Sequence, residues 1–197
     1  ERLYQSLVQS LASLRSYEAL AVLERLVADS HPPKSPGLGL SIKGLGPPSS
    51  KLRLAVLGVL PKLPYKRSLG ILQQCLSDPD PEVRKRAREV LALLSFPDAI
   101  SPLCRLFRSG AERPVRTAIL TALARASDPV ATEFLLDVVR QEPEPLRSLA
   151  AQLLRRVERA VLLPLLRSRL QTEPAPEPGT DPSAPRSLLL VLWQDVQ

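Results

Sequence analysis

Five arginines have the spacing to act as a set: Arg53, Arg84, Arg116, Arg147 and Arg186. Each directly follows an apolar anchor, in turn Leu52, Val83, Val115, Leu146 and Pro185. A column of guanidinium groups can lock acidic groups of the same chain or bind an anionic ligand, and both readings stay open from the residues alone. Little else in the chain suits bond-making chemistry. His31 is the only histidine, and Cys75 and Cys104 lie about one repeat apart. A metal site, a disulfide framework or a nucleophile–base pair therefore has nothing to be assembled from, and both cysteines read as small buried hydrophobes. The glycines Gly37, Gly39, Gly44 and Gly46 are not followed by the Gly-Lys-Ser/Thr ending of a phosphate-cradling loop. Glu173, Glu177 and Asp181 fall in a proline-rich stretch and read as solubilising charge. The expectation is a non-catalytic protein without a cofactor.

The elements that carry these residues are helices. Asp78 to Leu94 opens on Pro79 and Pro81, with Asp80 beside the N-cap and Glu82 in the first turn. Val83, Ala87, Val90, Leu91 and Leu94 then recur at i, i+4, i+7, i+8 and i+11, one face of a 3.6-residue helix. Val115, Ile119, Ala122, Leu123 and Ala126 hold the same columns, as do Leu146, Ala150, Leu153, Leu154 and Val157. Successive anchors from Leu52 to Pro185 are 31, 32, 31 and 39 residues apart, so the chain is built from repeats.

In chain order, residues 1–14 read as a second helix with Leu3, Leu7, Leu11 and Leu14 inward, and Tyr17 to Asp29 as the next helix. A Gly/Pro insert over 31–50 follows; it is either a plain insertion or a binding loop. The helix resumed at Lys51 is followed by pairs at 67–76 with 81–94, 99–108 with 114–126, and 129–140 with 145–157. Glu158 to Leu170, a proline-rich loop over 171–184 and a final helix from Pro185 complete the chain. The absence of methionine and the start inside a helical pattern suggest a piece of something longer.

This pattern resembles the HEAT-repeat family, particularly the short units similar to those of phycobilisome lyases. The resemblance rests on Asp-Pro-Asp-Pro-Glu-Val-Arg at 78–84, Ala-Ile-Ser-Pro-Leu at 99–103 and Pro-Val-Arg at 114–116. It implies an all-α fold, a right-handed α-solenoid of about five helix-pair repeats occupying 1–197 as a single domain. It also implies that the arginine column forms a structural ladder to acidic loop residues, with Asp78, Asp80, Glu112, Glu142 and Asp181 as candidates. Second helices would line a concave surface. Of the residues there, Leu57, Lys85, Arg88, Leu120, Gln152, Arg155, Leu190 and Val191 are the candidate partner contacts.

Charge narrows the partner. The net +7 is concentrated: no acidic residue occurs from Ser30 to Ser77, where Lys34, Lys43, Lys51, Arg53, Lys62, Lys66 and Arg67 lie. That basic patch favours at most weak, non-specific nucleic-acid binding, because the concave columns lack a continuous Lys/Arg groove. The leading expectation is a cytoplasmic scaffold or adaptor that binds another protein through its concave face and loop edge. A nucleic-acid-backbone binder using the basic patch is the alternative, and a chromophore-lyase subunit ranks below it. The apolar run Leu188 to Trp193 is too short to span a membrane and points to self-association or partner capture through the final helix.

Overall fold

A computed structural model describes residues 2–14, 17–29, 50–172 and 185–196. Among the described residues all regular structure is helical. Contacts divide the chain into two compact units, Glu1–Leu94 and Ser95–Gln197.

The first unit holds α1 (Arg2–Ser13), α2 (Tyr17–Asp29), α3 (Ser50–Val59), α4 (Lys66–Leu76) and α5 (Pro81–Leu93), with a 3₁₀ turn over Leu60–Lys62. Helices α2/α3 and α4/α5 form pairs. The pairs stack so that α2 meets α4 in one layer, while α1, α3 and α5 meet in the other. The second unit holds α6 (Pro97–Arg108), α7 (Arg113–Ala126), α8 (Pro129–Gln141), α9 (Leu146–Leu154), α10 (Arg159–Thr172) and α11 (Pro185–Val196). Its layers are α6, α8 and α10 on one side and α7, α9 and α11 on the other. Each unit has the all-α, helix-pair architecture expected of an α-solenoid: among the described residues, two pairs after a leading helix in the first unit and three pairs in the second.

Prolines set the helix starts. Pro81, Pro97 and Pro129 are first residues of their helices, where the missing N–H costs nothing. Two of these helices are also capped by a side chain. Asp80 accepts from the Glu82 N–H at 2.9 Å, and Asp128 accepts from the Val130 and Ala131 N–H groups at 2.8 and 3.3 Å. The columns read from the sequence are the core: Leu52, Val56, Val59, Leu60 and Leu63, then Val83, Ala87, Val90, Leu91 and Leu94, are buried. So are Val115, Ile119, Ala122 and Leu123, and Leu146, Ala150, Leu153, Leu154 and Val157.

Three expectations change. In α1 the inward face is Val8 and Ala12, while Leu7 and Leu14 are 46% and 65% exposed. Helix α1 packs against α2 and α3, with Leu11 half-buried, and the Leu3 side chain lies outside the described ones. Leu57 and Leu120, expected on the concave surface, are fully buried. Helix α3 is packed against α1, α2 and α5, and α7 against α6, α8 and α9. A helix covered on three sides keeps only a narrow exposed stripe, and neither leucine lies on it. Finally, α10 runs to Thr172, so Gln171 and Thr172, expected in the loop, are helical. The Gly/Pro insert up to residue 49, with Lys34 and Lys43, and residues 173–184 lie outside the described residues.

Candidate functional site

The arginine column does two jobs. Arg53, on α3, reaches forward to the next repeat's loop: its Nε is 2.7 Å from Asp78 Oδ2 and its Nη2 donates to Asp78 Oδ1 at 3.1 Å, with both side chains buried. Arg84, on α5, reaches back to the same loop and donates to the carbonyls of Asp78 and Pro79 at 2.6 and 2.9 Å. Asp78 Oδ1 also accepts from the Asp80 N–H at 2.9 Å. The 78–80 turn is therefore held by one guanidinium on its carboxylate and another on its carbonyls.

The second unit repeats this arrangement. Arg116, on α7, pairs with the Glu142 carboxylate, and Arg147, on α9, donates to the Glu142 carbonyl at 3.1 Å. The separation of Arg53 from Asp78 is 25 residues, and Arg116 and Glu142 are 26 apart, so the two loops are reached at offsets that differ by a single residue. These four arginines are fastened to backbone turns, which is a structural use of the column. Arg186 lies in α11, and Asp181 lies outside the described residues.

Sequence reasoning missed the aromatic part of this framework. Arg116 lies 4.1 Å over the Phe107 ring, Phe107 meets Phe134 edge to face at 5.3 Å, and Arg108 lies 5.1 Å over Phe134. The three phenylalanines of the chain are too few to show a column, so the periodicity carries no signal for it. Also missed were cross-repeat ion pairs: Arg67 to Glu24 at 2.6 Å, Arg169 to Asp137 at 2.7 Å and Arg155 to Asp195 at 2.8 Å. Arg169 and Asp137 are 32 residues apart, one repeat length, so the period could have found that pair.

The remaining candidates for partner contact differ in availability. Lys85 on α5 and Gln152 on α9 are exposed and Arg88 is half-buried. Arg155 is tied to α11 through Asp195. Leu190 and Val191 on α11 are 37% and 42% exposed, next to the buried Leu189 and Leu192 and the half-buried Trp193. In the basic patch Lys51, Lys62 and Lys66 are exposed. Arg67 is half-buried, with its pKa raised chiefly by the hydrogen bond to Glu24.

Burial pushes the Cys75 thiol up to about 12 and the Cys104 thiol up to about 11, so both stay protonated at neutral pH and make poor nucleophiles. Among the described residues no three of His, Cys, Asp and Glu converge as metal ligands, and no helix is long and apolar enough to cross a membrane.

No curated protein matches the chain. The family model of HEAT repeats matches it over residues 41–124 and again over 70–155, so the matched span runs from 41 to 155, more than half of the sequence. The repeat period, the paired helices in two layers and the arginine-clamped turns agree with that match, and the chain belongs to the HEAT-repeat family.

Proposed function

We propose that the chain is a non-catalytic scaffold or adaptor that binds another protein along the exposed stripe of its second helices and the adjoining loop edge. The observation that carries this reading is the outer face of α11, where Leu190 and Val191 stand exposed beside a helix face that already fills the core. Exposed aliphatic groups side by side gain by desolvation against a partner, at roughly 25 cal/mol per Å² of apolar area covered. Gln152, exposed on the neighbouring second helix α9, offers a polar contact beside them. Repeats of this kind offer extended surfaces suited to protein partners. Two unpaired thiols held in apolar packing fit a reducing, cytoplasmic setting.

The test is capture of partners by the immobilised wild-type chain and by Leu190→Lys with Val191→Glu, with light scattering for self-association. The double variant should keep its helical circular dichroism and lose the captured protein or the self-association. A variant that captures and self-associates like wild type would remove α11 from the interface.

A further inference from the structure

Between the C-terminal ends of α7 and α9 lies a cleft of about 360 Å³ lined by Thr121, Ala124, Arg125, Ser127, Leu153 and Arg156. We propose that this cleft binds the oxyanion of a short acidic side chain, carboxylate or phosphomonoester, presented by a partner polypeptide. The proposal rests on the scaffold reading and names the chemistry that the partner brings.

Two charged groups in the lining are unspent. Arg53, Arg67, Arg86, Arg116, Arg155 and Arg169 are all engaged by carboxylates. The side chains of Arg125 and Arg156, both exposed, have neither a hydrogen-bond nor an ion-pair partner among the described residues. Two guanidinium groups on one cleft offer the forked donors that carboxylate and phosphate oxygens accept. A third donor is available. The Thr121 hydroxyl already donates to the Thr117 carbonyl at 3.0 Å, but the Ser127 hydroxyl has no such use among the described residues.

Ser127 has φ 46° and ψ 37°, the left-handed region, and is the one described non-glycine residue with positive φ. As the C-cap of α7 it ends the helix in the common left-handed way and turns the chain along the cleft wall. The other lining residues match a side chain better than a free ion. Ala124 on α7 and Leu153 on α9, both largely buried, give the cleft an apolar wall against which a methylene stem can lie.

The opposing effect is the helix dipole. Both α7 and α9 end at the cleft, and each helix end contributes roughly half a negative charge, which disfavours an anion. Two full positive charges exceed two such halves, so the cleft remains net attractive. Dipole compensation alone would account for Arg125, in the last turn of α7. Arg156 follows the C-cap of α9 and its side chain makes no bond to a helix carbonyl among the described residues, so its guanidinium stays available to an anion.

The test is a nuclear magnetic resonance titration of the isotope-labelled full chain with three peptides. These are a glycine/serine heptapeptide with one central phosphoserine, its twin with central glutamate and the uncharged parent. The charged peptides should give saturable shifts confined to amides of residues 121–127 and 153–156, at least tenfold tighter than the parent. The phosphoserine and glutamate arms rank the two sources of oxyanion. Arg125→Gln and Arg156→Gln should each weaken binding at least fivefold. Arg140→Gln removes the same charge from an exposed site outside the cleft and should change it less than twofold. Circular dichroism of each variant guards against misfolding, and Arg125→Lys should retain part of the affinity. Equal effects at Arg140 and Arg125, shifts scattered over the basic surface, or equal binding of the parent would each overturn the site. If the two cleft variants still capture a whole partner as wild type does, the scaffold reading stands and this cleft has no part in it. If the peptides bind but no partner is captured, the scaffold reading fails alone.

Discussion

Asp80 shows what one capping carboxylate contributes. Its pKa is lowered, first by the hydrogen bond from the Glu82 N–H and then by the Ser50 hydroxyl. A folded-state pKa below the unfolded one means that the unfolded chain binds the proton more readily. The stabilisation from Asp80 is thus complete above the unfolded value, about 4, and is lost as the pH falls through the folded value. Asp80→Asn should leave stability at pH 7 nearly unchanged, because asparagine caps a helix about as well as aspartate. It should also flatten the loss of stability between pH 5 and pH 3, conditions chosen to straddle the ordinary range of about 4. Urea midpoints for both proteins at three pH values measure this, and parallel acid slopes would show that the cap does not titrate as described.

At the scale of elements, the clamped turn joins one helix pair to the next. Arg53 and Arg84 hold the same turn but should differ in cost when removed. Arg53→Ala leaves the Asp78 carboxylate buried without its cation, a loss of about 3–5 kcal/mol. Arg84→Ala removes donors from two carbonyls, one on the exposed Pro79, and should cost about 1–2 kcal/mol. Chemical denaturation with an unchanged m-value gives both numbers; equal losses would mean that the carboxylate finds water or another partner once Arg53 is gone. The column itself was legible because each arginine directly follows a core anchor and so inherits the repeat period. Which way each arginine turns was not legible, since that depends on whether a carboxylate or a carbonyl faces it across the turn. The phase of α1 is not legible for a related reason: hydrophobicity ranks leucine above alanine, whereas the face that meets the neighbouring helices carries Val8 and Ala12. Leu57 and Leu120 were placed outside because a single helix pair leaves that face open, and only the neighbouring second helices cover it.

The molecule as a whole carries +7, and the structure alters what that charge can do. Of the seven basic residues in the acid-free stretch, two are neutralised by acids from outside it: Arg53 by Asp78 and Arg67 by Glu24. Pairing across repeats thus removes charge that appears free along the sequence. The other basic residues of the stretch are lysines, Lys34, Lys43, Lys51, Lys62 and Lys66, five point charges with no arginine fork among them. If all five met phosphates, the logarithm of the duplex binding constant would fall with the logarithm of salt with a slope no steeper than roughly −4.5. Non-specific binding of that kind lies at about 10⁻⁴–10⁻⁶ M in physiological salt. We therefore expect titration of labelled duplexes to give micromolar or weaker dissociation constants, no preference between unrelated sequences, and loss of binding as salt rises. Lys62→Gln with Lys66→Gln should lower the salt slope by about two. A dissociation constant near 10⁻⁸ M, the range of specific sites, would mean that nucleic acid is the natural partner, because five lysines acting as point charges could not supply it.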